Sequence, residues 1–148
     1  MIARMALDRD TGQPRIERLV WVDDAGRIVS PQLAEGQLMG GLAQGIGQAL
    51  QERIVYDASG QLLTGSFLDY ALPRAGDMPP VELESMAIPA TANLLGAKGV
   101  GEAGTIGVPA AILNAAIDAL SPFGVADLDF PLTAEGLWRT MIESTRGF

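Results

Sequence analysis

Residues 33–53, LAEGQLMGGLAQGIGQALQER, contain the clearest structural signal in this chain. Apolar side chains recur every four residues, at Leu38, Leu42, Ile46 and Leu50, and therefore lie along one side of a helix. Glutamines fall together on the opposite side, which is the pattern of an amphipathic helix. The stretch predicts a long helix whose apolar side packs against the rest of the domain.

Five glycines within or next to this helix need an explanation. An interior glycine costs about 0.8–1.0 kcal/mol relative to alanine, so the group sums to roughly 4 kcal/mol. Either the stretch is only partly helical, or the missing side chains let another backbone or a cofactor come into contact. The sequence leaves both explanations open. The glycines are Gly36, Gly40, Gly41, Gly45 and Gly47.

Strand signals lie on both sides of the helix. Residues 15–22 predict a strand, and the turn chemistry of residues 23–26 predicts a hairpin that continues into residues 27–29. Beyond the helix, residues 54–56 and 61–63 predict a second strand–turn–strand unit.

A further strand is predicted over residues 81–88, where apolar and polar side chains alternate at the first five positions. Glu82 and Glu84 share one face of this strand. Two carboxylates so placed resemble a catalytic pair, but the alternation already explains them as the solvated face.

The C-terminal part of the chain predicts more helix. Residues 105–120 form an alanine-rich run in which Pro109 is tolerated only in the first turns. Residues 126–131 predict a short strand and residues 134–142 a final helix. The apolar stripe of that helix is expected to pack in the core, with a docking surface as the alternative. It consists of Leu137, Trp138 and Met141.

Together these elements predict an α+β fold. We expect a two-layer sandwich in which an antiparallel or mixed sheet packs against two main helices. The length of 148 residues and the 48% of hydrophobic residues are sufficient for one ordinary core, so residues 1–148 are expected to form a single domain.

The composition narrows the classes of partner, metal site and cellular location that we expect for this chain. The net charge of -8, from 10 Lys and Arg against 18 Asp and Glu, opposes nucleic acid and anionic membranes as partners. With no cysteine and no histidine, the chain has no thiolate or imidazole ligand, and we expect no metal held directly by protein side chains. No signal peptide or span of roughly 20 apolar residues is expected, and a reducing cytoplasm is the default location.

A second informative stretch is residues 96–104, GAKGVGEAG, which places Glu102 among four glycines just ahead of the second long helix. One interpretation is a flexible turn with a solvated carboxylate. The other is a carboxylate directed at a ligand held against the main chain. The helix dipole would keep this carboxylate ionised, whereas burial in a dry pocket would favour the protonated form. Residue types alone leave both interpretations open.

Several blocks, in order along the chain, resemble one known family. They are residues 23–29, 35–37, 40–47, 65–74 and 96–107. Together they resemble the C-terminal part of the molybdenum-binding large subunit of the molybdenum hydroxylases, a family that includes xanthine dehydrogenase, aldehyde oxidase and the aerobic carbon monoxide dehydrogenases. The blocks look most like the bacterial branch that includes carbon monoxide dehydrogenase.

The resemblance implies roles for individual residues. Glu102 matches the family's catalytic base, and Gln44 matches a glutamine that contacts the cofactor. Without the resemblance, Gln44 is a solvated residue or part of a tight helix contact, and Lys98 is a surface amine. The further positions that the resemblance predicts to line the cofactor are Lys98, Gly99, Val100 and Gly101.

The implied cofactor is molybdopterin with molybdenum, in its cytosine dinucleotide form. The implied partners are the remaining part of the molybdenum subunit, an iron–sulfur subunit and an FAD subunit, together with a small-molecule substrate. Asn93-Leu94-Leu95 departs from the family, because related chains more often have a proline there.

Two hypotheses for function follow. In the first, the chain is part of an oxidoreductase that hydroxylates an aldehyde or N-heterocycle, or oxidises carbon monoxide, and is inactive alone because the family's subunit is several times longer. In the second, it is a non-catalytic structural or interaction module, a truncated remnant of that subunit.

Overall fold

The computed structural model describes residues 1–146, and these contain a three-stranded mixed sheet. Its strands are β1 (Ile2–Leu7), β2 (Pro14–Asp23) and β3 (Val81–Ser85). β2 is central, since β1 pairs with it in the antiparallel sense and β3 in the parallel sense. The prediction of an antiparallel or mixed sheet is confirmed.

The helices within residues 1–146 cover this sheet. They are α1 (Pro31–Leu50), α2 (Ala103–Ile106), α3 (Val108–Leu120) and α4 (Ala134–Arg146), with short 3-10 turns at Ala75–Asp77 and Ser121–Phe123. α3 packs on β1, and α1 packs against both α2 and α3. The predicted α+β sandwich is confirmed, and α1 and α3 are its two main helices.

The core lies between the sheet and these helices. Leu42 and Ile46 of α1 are buried, as the four-residue spacing predicts, while Leu50 is only partly covered. The largest fully buried side chains are Leu19, Leu42, Ile46, Ile112, Leu120, Leu132, Leu137 and Val108. Residues distant in the chain thus meet in one cluster, which is where burial of apolar area stabilises the fold.

The predicted hairpin around residues 23–26 is wrong. β2 instead forms its hairpin with β1, an element that the sequence analysis did not assign. The connecting turn is stabilised by the Asp8 carboxylate, which accepts hydrogen bonds from the N–H groups of Asp10 and Thr11 at 3.0 and 2.9 Å. Residues 27–29 form no strand because their neighbour Gly26 pairs with Ala97 of a distant loop.

Two other strand predictions are also wrong in extent. The unit at residues 54–56 and 61–63 is reduced to an isolated bridge between Tyr56 and Leu62, although the turn between them is present. Residues 126–131 form no strand. Just after this segment, the Leu132 N–H donates a hydrogen bond of 2.7 Å to the Ala49 carbonyl. This bond joins the chain to the end of α1.

The final helix is longer than predicted, and its stripe is only partly buried. Leu137 and Met141 lie in the core, at 1% and 4% exposure. The prediction that Trp138 packs in the core is wrong, since this side chain is 39% exposed. It lies next to Gly12, where an added Cβ would come within 2.7 Å of the Trp138 Cβ.

The predicted helix at residues 105–120 is two helices, because the chain is interrupted at Gly107 between α2 and α3. Contrary to expectation, the described residues include one segment, Ala103–Phe123, that is long and apolar enough to cross a membrane by length and composition. In the fold, Val108, Ile112 and Leu120 of this segment are fully buried in the core. Only 28% of the apolar window in this segment is buried, so core packing covers only part of its apolar surface.

Candidate functional site

The glycines of α1 allow the backbone of α2 to contact it. A Cβ on Gly41 would lie 2.9 Å from the Gly104 Cα, and a Cβ on Gly104 would collide with the Leu38 carbonyl oxygen. Gly45 is similarly placed against Val108. α1 is helical throughout, so close helix packing explains Gly41 and Gly45, whereas an added Cβ at Gly36 or Gly40 would meet no atom within 4 Å.

This packing brings two predicted site residues together. Gln44 lies one turn after Gly41, and Glu102 lies two residues before Gly104. Both line an open depression of about 430 Å³, here called the Glu102 hollow. Its volume falls within the range of small-molecule sites. The lining residues are Ala43, Gln44, Gln48, Glu52, Leu72, Pro73, Glu102 and Thr105.

The hollow contains two carboxylates with different surroundings. Glu52 accepts a hydrogen bond of 2.6 Å from the Tyr70 hydroxyl, and this bond raises the pKa of Tyr70. Glu102 precedes α2 without capping it through its side chain. Within residues 1–146 no group donates a hydrogen bond to the Glu102 carboxylate. Glu102 is thus the carboxylate of this hollow that can interact with an external group.

The glycine-rich loop before Glu102 is held by backbone hydrogen bonds to the segment after β2. Arg27 N–H donates to the Gly96 carbonyl, and Lys98 N–H donates to the Ala25 carbonyl, both at 2.9 Å. Gly96 has φ of 68°, in the left-handed region that favours glycine. This pairing explains why residues 25–27 leave the sheet.

Side chains fix both ends of the same loop. The Lys98 ammonium lies 2.5 Å from Asp24 Oδ2, and the Gln37 side-chain amide donates to the Gly101 carbonyl at 2.7 Å. Lys98, Val100, Gly101 and Gln37 line a neighbouring depression of about 430 Å³ that does not include Glu102. The Lys98 charge is therefore directed at Asp24 in this structure.

Between those fixed ends, the loop offers unused hydrogen-bond donors. The N–H groups of Gly99, Val100 and Gly101 have no acceptor within residues 1–146. An added Cβ at Gly99 or Gly101 would meet no atom within 4 Å. Exposed N–H groups beside glycines can bind an electronegative edge of a ligand.

Asn93 stands where the resemblance predicts a proline, and its side chain holds the loop through two hydrogen bonds. Its side-chain amide donates to the Ala97 carbonyl at 2.9 Å, while its side-chain oxygen accepts from the Ala97 N–H at 3.2 Å. The loop shape is thus fixed by an amide instead of a proline ring. Leu94 and Leu95 remain exposed.

The sequence analysis missed three residues that support the site. Asp24 was interpreted as a turn residue, Gln37 as part of a solvated helix side, and Glu52 was not considered. A signal for Gln37 was present, because it lies two helical turns before Gln44 and on the same side of α1. Glu82 and Glu84 are exposed, with Glu82 paired to Arg18 at 2.5 Å.

Apart from the Glu102 hollow and the neighbouring depression, three further depressions contain none of the predicted site residues. One of them, of about 560 Å³, lies between the start of β2, the end of α1 and residues 76–80. Its size alone does not indicate chemistry, whereas the Glu102 hollow combines two amides, two carboxylates and a nearby row of N–H groups.

Residues 1–79, more than half of the chain, match the family model described as the molybdopterin cofactor-binding domain. The chain belongs to this family. Gln44 lies inside the matched residues, and the resemblance to the molybdenum hydroxylases is confirmed.

Individual relatives extend the similarity past residue 79. The nicotine 6-hydroxylase large subunit of Paenarthrobacter nicotinovorans is 43% identical over 141 residues, and the carbon monoxide dehydrogenase large chain of Hydrogenophaga pseudoflava is 35% identical over 137. These matches cover 95% and 93% of this chain. The chain spans 17% of the length of each of these relatives.

The fold is also shared with a solved member of the family. Quinoline 2-oxidoreductase from Pseudomonas putida 86 superposes with a TM-score of 0.89 at 36% sequence identity. The match covers 94% of this chain and 18% of that chain. This chain thus corresponds to a small part of a much longer chain.

The ion pair between Lys98 and Asp24 leads to a test by pH. Asp24 accepts from Lys98, Gly26 N–H and Ile88 N–H, and these bonds hold its pKa below the ordinary value. A lowered folded-state pKa stabilises the protein above the unfolded pKa of about 3.9, and the effect disappears as pH falls through the folded value.

We therefore expect Asp24→Asn to lower the melting temperature at pH 7 and to lose this effect at pH 2. Thermal unfolding followed by circular dichroism at both pH values provides the measurement. Asp118→Asn, at an exposed position of α3, is the matched control and should change little at either pH. An equal deficit for Asp24→Asn at both pH values would contradict the ion-pair explanation.

Proposed function

We propose that this chain forms one wall of the molybdenum cofactor site in a molybdenum-cofactor oxidoreductase, with Glu102 as the catalytic base. The observation that carries the proposal is that Gln44 and Glu102 line one hollow because glycines bring α1 and α2 into contact. The family membership supplies the cofactor class.

The groups around the hollow fit a pterin. The Gln44 amide provides both donors and an acceptor, which suits the edge of a heterocycle. The N–H groups of Gly99, Val100 and Gly101 are available to donate hydrogen bonds to electronegative atoms of the same cofactor. Lys98 contributes its backbone and stem to the loop while its charge binds Asp24. We propose the cytosine dinucleotide form of the cofactor.

When bound, the cofactor supplies molybdenum for oxygen and electron transfer. The role of this chain is to hold and orient that group and to accept a proton at a Glu102 carboxylate oxygen. Glu102 is suited to this role, since the other carboxylate of the hollow already binds Tyr70. Proton acceptance by a positioned carboxylate is general base catalysis.

The remaining machinery lies outside this chain, which spans 17% of the two curated relatives named above. We propose that it works with the rest of the molybdenum subunit, an iron–sulfur subunit and an FAD subunit, in the cytoplasm. The proposed reaction is hydroxylation of an aldehyde or N-heterocycle, or oxidation of carbon monoxide. The names of a nicotine hydroxylase and a quinoline oxidoreductase among the relatives favour an N-heterocycle.

The proposal is tested by elemental analysis for molybdenum. The chain is purified alone and after co-expression with the rest of a molybdenum subunit and its partner subunits. We expect molybdenum in the assembled complex at about one atom per subunit. A folded chain that enters the complex while molybdenum stays absent would favour the non-catalytic module instead.

Gln44→Ala tests the cofactor contact specifically. We expect the assembled variant to lose most of its pterin and molybdenum on gel filtration, because an amide that binds the cofactor is removed. Its melting temperature without cofactor should change little, since Gln44 is exposed and α1 tolerates alanine. Gln32→Ala, also exposed on α1 but outside the Glu102 hollow and the neighbouring depression, is the control. Full cofactor retention in Gln44→Ala would contradict the assignment.

A further inference from the structure

One wall of the Glu102 hollow is made by an irregular segment instead of a helix. Leu72 and Pro73 contribute this wall. The other lining residues come from α1, from Glu52 two residues after it, and from Glu102 and Thr105 just before and within α2. Leu72 is 46% exposed, so an apolar side chain faces solvent at the edge of a polar site. The position of residues 65–74 therefore determines the shape of the hollow.

This segment is attached to the end of α1 at two points. The Tyr70 hydroxyl donates to Glu52 Oε2 at 2.6 Å in a partly buried position. Close by, the ring of Pro73 lies against Gly47, where an added Cβ would come within 2.8 Å of Pro73 Cδ and collide with the Glu52 carboxylate. The glycine thus provides space for both contacts.

Hydrogen bonds within the segment direct Tyr70 towards α1. The Ser66 carbonyl accepts hydrogen bonds from the N–H groups of Asp69 and Tyr70 at 3.1 and 2.9 Å. The Ser66 hydroxyl donates to Asp69 Oδ2 at 2.8 Å. Phe67 and Leu68 lie on the outside of this turn, at 86% and 94% exposure. Within this turn, the Tyr70 side chain makes the contact with Glu52 at the end of α1.

We propose that Glu52 and Tyr70 are positioning residues whose hydrogen bond fixes residues 65–74 as the wall of the Glu102 hollow. Glu52 then acts as an anchor for this wall and not as a second base. Leu72 and Pro73, held in place by the anchor, limit what can approach Glu102. The inference rests on the proposed function for its catalytic meaning, but the anchor itself is testable without cofactor.

Hydrogen–deuterium exchange measures the anchor directly. In the full chain, Tyr70→Phe and Glu52→Ala should each speed exchange of the amides in residues 65–74 by at least about fivefold, the loss expected for one hydrogen bond. Glu52→Gln should restore slow exchange, because its amide oxygen can still accept from the hydroxyl. Tyr56→Phe, at the chain's other tyrosine, is the matched control and should have no effect on residues 65–74.

A spectroscopic readout separates this role from general stability. Tyr56→Phe leaves Tyr70 as the sole tyrosine, and its ionisation is followed by ultraviolet absorption during alkaline titration. Glu52 raises the pKa of Tyr70, and Asp69, Arg74 and Asp77 line the adjacent surface. Glu52→Ala in this background should bring the titration back towards the ordinary value of about 10.

The anchor is contradicted if exchange in residues 65–74 is unchanged in Tyr70→Phe and Glu52→Ala, or if it rises equally throughout α1 and α3. It is also contradicted if the Tyr70 titration is the same with and without Glu52. These measurements use no metal, so their failure is distinct from a failure of the proposed function, which would appear as missing molybdenum in the assembled complex.

Discussion

Glu102→Gln should abolish turnover in the assembled enzyme while leaving its molybdenum content unchanged. Glutamine has nearly the shape of glutamate but cannot accept a proton at working pH, and loss of a general base lowers the rate about 10²–10⁴-fold. Cofactor binding should persist, because in our account Gln44 and the N–H groups of residues 99–101 provide those contacts. Steady-state kinetics and metal analysis on the same preparation provide the measurement.

Glu84→Gln is the matched control, since Glu84 lies exposed on β3 and away from the Glu102 hollow. It should retain full turnover. If Glu102→Gln were as active as this control, Glu102 would have no part in proton transfer. If it lost molybdenum instead of rate, its role would be cofactor retention.

Gly104→Ala should cause the largest loss of stability among the substitutions considered. Its new Cβ would collide with the Leu38 carbonyl oxygen and lie 3.0 Å from the Gly41 Cα, so α1 and α2 must move apart. Overpacking of this kind typically costs about 1–3 kcal/mol. The same movement would separate Glu102 from Gln44, so activity should fall as well. Urea unfolding of Gly104→Ala measures the loss in free energy of unfolding.

Gly40→Ala is the control, because Gly40 lies in α1, the helix that Gly104 packs against, with no atom within 4 Å of an added Cβ. We expect it to stabilise the protein by up to about 1 kcal/mol through helix propensity. Equal effects at Gly40 and Gly104 would show that the glycines matter for chain entropy and not for close packing.

The elements that the sequence predicted well are those with a repeating apolar pattern. The spacing of Leu38, Leu42 and Ile46 identified α1, since every fourth side chain lies on one face regardless of what covers it. The sheet was harder. Strand pairing depends on distant partners, so β1 was missed. Residues 27–29 were predicted to continue a hairpin, whereas the neighbouring Gly26 pairs with Ala97 of a distant loop.

For the site, the resemblance identified Glu102 and Gln44, but their shared hollow depends on a contact between Gly41 and Gly104 that no local pattern reveals. Asp24 and Glu52 escaped notice for the same reason, whereas Gln37 was missed although it shares one side of α1 with Gln44. Each binds a partner far away in the chain, so its role exists only in the folded protein. The glycines of α1 indicated close packing but did not identify α2 as the element that packs there.

The most direct test of the central claim is the electron density of the cofactor in a crystal of the assembled molybdenum subunit. Our account predicts pterin density in contact with the Gln44 amide and the N–H groups of residues 99–101, with the Glu102 carboxylate facing the molybdenum. Density for the cofactor elsewhere, with the Glu102 hollow filled by another part of the protein, would contradict it.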